Sequence, residues 1–258
     1  MTILIRGGGD LASGVALRLH RTGFPIIITE LAQPLAVRRA VSFAEAVYAG
    51  QWDVEGIHAQ RVDSAAEALR LAPQGIIPVL VDPEPVALMA GPIQAVVDAR
   101  LLKTPTQYTL SDSPLIVGLG PGFLAGYNCH VVIETKRGHT LGRVYWRGSA
   151  LPDSGLPEGD PGRVLRAPAA GVLRALAAIG DPIQAGQPVA LIDETHPVIS
   201  PISGVLRGII HDGLRVTAGL KVGDVDPRNV REHCFLVSDK ALAVGGGVLE
   251  AILTHQKR

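Results

Sequence analysis

The sequence predicts an α/β protein: a mostly parallel, Rossmann-like sheet domain joined to a small all-β domain. Three observations predict it. Short apolar runs rich in β-branched residues alternate with helix-like segments over residues 1–120. The texture turns to Gly, Pro and Ser after Arg147. A repeat then follows at a constant spacing, 204 − 171 = 33 residues.

The runs Ile3–Ile5, Ile26–Thr29, Ile76–Val81, Ala95–Val97 and Leu115–Val117 suit strands buried on both faces of a parallel sheet. Between them, Leu11, Val15 and Leu19 recur on one helical face. Ala36–Tyr48 and Ser64–Leu71 are further expected helices, the second with Ser64 as N-cap and Glu67 three residues on. Strand–helix alternation makes βαβ units, so residues 1–150 are read as the sheet domain. Residues 151–162, Gly- and Pro-rich, are read as a linker. The tail 227–258 contains "DKALAVGGGVLEAIL", where Gly245–Gly247 repeat the opening theme of an apolar run, glycines and a helix. Its return to the first domain is an open expectation.

The repeat lies within 163–226. "APAAGVLRALAAIGDPIQAGQ" from Ala167 aligns without gaps on "SPISGVLRGIIHDGLRVTAGL" from Ser200. Pro168 matches Pro201, Gly171–Arg174 match Gly204–Arg207, and Gly180 matches Gly213. Such a repeat implies two similar units around one core. The pattern resembles the biotinyl/lipoyl barrel-sandwich hybrid, whose tip carries a modified lysine. Here the tip "LIDETHPVISP" has no lysine, and Asp193 stands about where one is expected. The reading is therefore a structural or docking barrel with no covalent biotin or lipoyl group.

Composition excludes some classes. The chain is 47% hydrophobic but only 4% aromatic, so Ala, Val, Ile and Leu must build the core. Lys+Arg and Asp+Glu are both 24, which leaves no electrostatic footprint for nucleic acid or an acidic membrane. Cys129 and Cys234 form no CxxC, the eight histidines show no metal-ligand spacing, and no run reaches the ~18 apolar residues of a membrane span. The expectation is a cytoplasmic protein without a metal site, free or as a homo-oligomer.

Two glycine loops carry the functional reading. Gly7, Gly9 and Ala12 satisfy G-x-G-x-x-[G/A] between a predicted strand and helix. Glycine lets backbone N–H groups approach an anion, and the helix N-terminus adds partial positive charge. Glu30 lies 30 − 9 = 21 residues beyond Gly9, where an acid can meet a ribose hydroxyl. Gly7, Gly8, Gly9, Asp10, Ser13 and Glu30 are the candidates here; Asp10 can instead cap the helix and compete with phosphate. The second loop holds Gly118, Gly120 and Gly122, expected beside the first at the carboxyl ends of parallel strands. Arg137, His139 and Arg143 follow it, either as a cationic cluster for a phosphorylated ligand or as a solvated hairpin. Arg38 and Arg39, expected early in a helix, either clamp the same ligand or form surface ion pairs. Cys129 beside His130 is a nucleophile only if the two face each other; adjacent strand residues do not, which favours a buried structural thiol.

The phrases "IRGGGDLASGVALRLHRTGF", "TELAQPLAVRRAVSFAEAVYAG", "VDARLLK", "VGLGPGFLAGYNCHVVIETKRGHTLGR" and "AVGGGVLEAIL" together resemble the YqeB family across essentially the whole chain. That family is described as a selenium-dependent molybdenum hydroxylase system protein. In theme it is similar to the XdhC-type accessory proteins of xanthine dehydrogenase maturation, which contain a Rossmann-like domain. The resemblance implies an accessory role toward a molybdenum hydroxylase client. Its ligand would be a molybdopterin-type cofactor, a nucleotide, or a selenium or sulfur species. Two readings stand beside it: an NAD(P)-dependent oxidoreductase, for which no Tyr-x-x-x-Lys or His–acid set is visible, and a non-enzymatic scaffold.

Overall fold

The computed structural model describes residues 1–104, 108–153 and 161–257. It divides into two compact units. One comprises Met1–Pro34, Phe43–Ser154 and Val237–Arg258; the other comprises Leu35–Ser42 and Gly155–Leu236. The protein is α/β, with a large, mostly parallel mixed sheet in the first unit and antiparallel sheets in the second.

The first unit opens with β1 (Thr2–Arg6), α1 (Asp10–Arg21) and β2 (Ile26–Glu30). Then come α2 (Ala46–Ala49), β3 (Gln51–Val54), β4 (Ile57–Val62), α3 (Ala65–Leu71), β5 (Ile77–Val81) and α4 (Val86–Met89). The remainder is β6 (Ile93–Asp98), β7 (Ile116–Leu119), β8 (Val131–Ile133), β9 (Val144–Tyr145) and the long α5 (Asp239–Gln256). The strand order is β3-β4-β5-β2-β1-β6-β7-β8-β9. Seven strands from β4 to β8 run parallel, and β3 and β9 close the edges antiparallel. Ile3, Leu4, Ile5 and Ile27 are fully buried, as a sheet covered on both faces requires.

Sequence order steps from β1 out through β2 toward β5, then crosses to β6 on the other side of β1. The ordering therefore reverses between β1 and β6. In open α/β sheets the crevice for ligands lies outside the carboxyl ends of the strands at such a point.

Two local expectations need correction, and one hairpin adds to them. The helix expected over Ala36–Tyr48 is two 3₁₀ turns, Arg39–Val41 and Phe43–Glu45, before α2. Ser42 is extended, and its hydroxyl donates to the Arg38 carbonyl, a local bond that competes with helix propagation. Gly245–Gly247 form no loop: they lie inside α5, which Ser238 caps by accepting from the Ala241 N–H. Gly245 and Gly247 are glycines because backbone crosses there. A Cβ at Gly245 would lie 2.5 Å from the Gly14 carbonyl oxygen on α1, and one at Gly247 would lie 2.2 Å from that of Gly142. The β3–β4 hairpin was not anticipated; Glu55 and Gly56 turn it with positive φ at both positions, as a two-residue type I′ loop requires.

In the second unit the 33-residue repeat governs topology. The strands are β10 (Val164–Arg166), β11 (Gly171–Ala175), β12 (Pro182–Ile183), β13 (Pro188–Ile192), β14 (His196–Ile199), β15 (Gly204–Ile209), β16 (Arg215–Val216) and β17 (Lys221–Asp226). Adding 33 carries the start of β11 onto β15, β12 onto β16 and β13 onto β17. The sheets are β10-β17-β15-β12 and β14-β13-β11-β16. Exchanging repeat partners converts one order into the other, so each sheet is built from both halves. Asp193 sits at the tip in a positive-φ turn. Its carboxylate accepts from the Val172 N–H at 2.7 Å. Most of the expected linker 151–162 lies outside the described residues.

Candidate functional site

The first glycine loop joins β1 to α1 at the reversal of strand order. Its three glycines do different things. Gly7 has φ +91, and a Cβ there would lie 3.3 Å from the Ala99 carbonyl oxygen beyond β6. A Cβ at Gly8 would lie 2.9 Å from the Ala44 nitrogen. The Gly8 carbonyl accepts from the Ala44 N–H at 2.9 Å and from the buried Ser13 hydroxyl at 3.3 Å. Ser13 in turn accepts from the Phe43 N–H at 2.9 Å. The fold alone therefore explains Gly7, Gly8 and Ser13.

Gly9 is not explained that way. Its φ is −71 and ψ −171, ordinary extended backbone, and a Cβ there would meet nothing within 4 Å. Gly9 is the N-cap of α1 and supplies no side-chain cap. Asp10 is the first helical residue rather than the cap, so its charge sits in the first turn, where the helix dipole favours it. Ala12 is buried on the first turn. Glu30 turns inward: its carboxylate accepts from the N–H groups of Gly8 and Leu31, each at 2.7 Å.

The second loop is not adjacent to the first, because β6 lies between β1 and β7. Its glycines meet the chain's own atoms. A Cβ at Gly118 would enter the Phe123 ring, one at Gly122 would lie 2.3 Å from the Leu102 carbonyl oxygen, and Gly120 has φ +86. Beyond β8, the fully buried Glu134 accepts from the N–H groups of Thr135, Lys136 and Leu151 at 2.8 Å each and shapes the following turn. Arg137 pairs with Asp239 through two bonds of 2.8 and 3.0 Å. Arg143 donates to the His139 carbonyl at 3.4 Å. These residues organise the β8–β9 turn and the start of α5, two strands from β6.

Arg38 and Arg39 belong to the second unit. Arg38 is buried and donates to the carbonyls of His233 and Leu236, and Arg39 donates to that of Ile209. They are structural ties on and beside a 3₁₀ turn, not the expected helix-borne phosphate clamp. Cys129 is fully buried, and burial pushes its thiol up to about 12. The neighbouring His130 accepts the Ile116 N–H at Nδ1, 3.0 Å away.

The carboxyl edge of the sheet holds a polar ring that sequence reading missed. Arg6 ends β1 and is 4% exposed. It donates to the Tyr108 hydroxyl, the Pro83 carbonyl and, at 2.9 Å, the Glu84 carboxylate. Asp98, fully buried at the end of β6, accepts from Arg100 Nη2 at 2.6 Å and from the Tyr108 hydroxyl at 3.0 Å. Arg100 returns to Glu84 at 3.6 Å. Burial works against charge on Arg100, yet hydrogen bonding and charge from Asp98 leave its pKa above the ordinary value. Burial first, then Asp98, raises the Tyr108 phenol well above its usual range. The signal was present in "VDAR", where a charged pair closes an apolar strand.

Among the described residues no group of three or more His, Cys, Asp or Glu side chains can hold a metal ion. None of the described helices is long and apolar enough to cross a membrane.

The chain is homologous to the uncharacterized protein YqeB of Escherichia coli (strain K12), with 46% identity over 260 residues. The match covers 98% of this chain and 48% of that protein, so the chain spans about half the length of this curated relative. No protein-family model matches. Among solved structures, an aspartoacylase family protein from Mesorhizobium loti aligns at 12% identity, over 87% of this chain and 84% of that one, with TM-score 0.29. The ectoine utilization protein EutE (DoeB) from Ruegeria pomeroyi aligns at 12% identity, over 86% and 56%, with TM-score 0.25. Likenesses this low carry no argument about fold or activity.

Proposed function

We propose that this homologue of YqeB is a member of that family and an accessory protein that binds a phosphate-bearing small molecule. The ligand class is a nucleotide or a molybdopterin-type cofactor. The larger unit is read as a Rossmann-like domain, and the pseudo-symmetric second unit as a barrel-sandwich hybrid that serves as a structural or docking module. A molybdenum hydroxylase client is the partner that the family resemblance suggests.

One observation carries the ligand reading: the local roles of Gly7, Gly9 and Ala12. In a dinucleotide loop the first glycine makes the tight turn, the second lets backbone approach pyrophosphate, and the third small residue packs helix on strand. Gly7 turns at φ +91, Ala12 is buried, and Gly9 faces open space that the fold leaves unused. Glu30 stands at the end of β2, where a ribose hydroxyl would arrive, and its Gly8 and Leu31 contacts pre-set the carboxylate.

The test is thermal stabilisation by NAD(P)(H), ATP, CTP and pterin nucleotides. A ligand at 100 times its Kd adds roughly 2.7 kcal/mol of stability. A Cβ at Gly9 meets nothing within 4 Å and the backbone there is ordinary extended, so Gly9→Val should fold and lose the response. A panel with no stabilising member, or a Gly9→Val protein that responds like the parent, would refute the reading.

A further inference from the structure

We propose a second oxyanion site in the first unit, formed by Arg6 and Arg100 and now occupied by the chain's own Glu84. The ligand group is a carboxylate or phosphoryl oxyanion of a small molecule, and Glu84 is its intramolecular competitor.

Charge balance carries the argument. Arg6, Arg100 and Asp98 sum to +1, and Glu84 brings the ring to zero. Asp98 is fully committed: it accepts from the Arg100 backbone N–H at 3.1 Å, from the Arg100 side chain and from Tyr108. Arg6 is 4% exposed, its Nε has no hydrogen-bond partner, and its ion pair is with a carboxylate that is 72% exposed. A buried cation needs a counter-charge, and a solvated glutamate on a loop holds its place weakly. Glu84 also shows the geometry a ligand would use. One carboxylate oxygen lies 2.9 Å from Arg6 Nη2 and the other 3.6 Å from Arg100 Nη1, so a single oxyanion bridges both guanidinium groups. An external oxyanion that displaces Glu84 inherits the two nitrogens it meets, Arg6 Nη2 and Arg100 Nη1, each held in place by its guanidinium's other bonds, and releases the glutamate to water. The pair flanks the reversal of strand order, since Arg6 ends β1 and Arg100 follows β6.

This site does not rest on the glycine loop, which Gly9→Val tests separately. Its experiment changes only two acids of the loop after β5, the exposed Glu84 and the half-buried Asp82. Binding of acetate, succinate and inorganic phosphate is measured by calorimetry on the whole chain, as parent, Glu84→Gln and Asp82→Asn. Asp82→Asn removes the same charge from the same loop but touches neither arginine; its side-chain oxygen still accepts the Glu84 N–H. Glu84→Gln should bind at least one probe about tenfold or more tightly than the parent, with Asp82→Asn near the parent. A gain for carboxylates or for phosphate supports the site and identifies which source of oxyanion it prefers. No gain in Glu84→Gln, or an equal gain in Asp82→Asn, overturns it.

Discussion

Three consecutive glycines in α5 should respond to alanine with different signs. An interior helical Gly→Ala change gains about 1 kcal/mol from propensity. Gly246 should show that gain, because a Cβ there meets nothing within 4 Å. At Gly245 the new Cβ would lie 2.5 Å from the Gly14 oxygen, and at Gly247 2.2 Å from the Gly142 oxygen. Carbon contacts are comfortable near ~3.5 Å, so each alanine must drive backbone from backbone by roughly 1 Å. No flexible side chain can absorb that. Overpacking costs about 1–3 kcal/mol, and propensity cancels when the variants are compared. Gly245→Ala and Gly247→Ala should therefore each be about 1–3 kcal/mol less stable than Gly246→Ala. Urea denaturation at 25 °C with a common m-value measures the difference. If Gly245→Ala is as stabilising as Gly246→Ala, the packing of α5 described above is wrong.

Two further outcomes follow from the buried Cys129 and the half-buried His130. Cys129, with its thiol up to about 12, should resist alkylation at pH 8 in the native protein and react once denatured. Rapid native labelling would contradict its burial. Burial, with a smaller contribution from His255, lowers the His130 pKa below the ordinary histidine value of about 6.5. Between the folded and unfolded pKa values the unfolded chain binds more protons, so stability rises with pH there. The contribution is complete above about 6.5 and is lost as pH falls below it. The drop in denaturation midpoint from pH 7.5 to 5.5 should be smaller in His130→Gln; an unchanged drop contradicts this role.

The strands around β1 were legible because β-branched runs covered on both faces leave a strong local signal. The repeat was legible too, since glycines at 171 and 204 each lie where a Cβ would strike Asp193 or Asp226. Helix expectations failed where long-range contacts prevail. Residues 36–48 read as a helix, but Ser42 breaks it locally, and Phe43 and Ala44 bond to Ser13 and Gly8. Gly245–Gly247 looked like a loop because sequence cannot show the neighbouring backbone pressed against Gly245 and Gly247. At the candidate site the glycine fingerprint was readable, yet Gly7, Gly8 and Gly9 look alike until the space beside each is known. Of the Arg6–Asp98–Arg100–Tyr108–Glu84 ring only the Asp98–Arg100 pair left a sequence signal, since its members come from four separate segments that the fold brings together.

The central claim is that the space beside Gly9 receives the phosphate of a small molecule. Native mass spectrometry of the chain purified gently from its own host tests it most directly. The account predicts a retained phosphate-bearing ligand, nucleotide or pterin, on the parent protein and its loss from a folded Gly9→Val protein. Retention of the same ligand by Gly9→Val, or a parent protein that carries none and takes none up from the nucleotide and pterin panel, would contradict it.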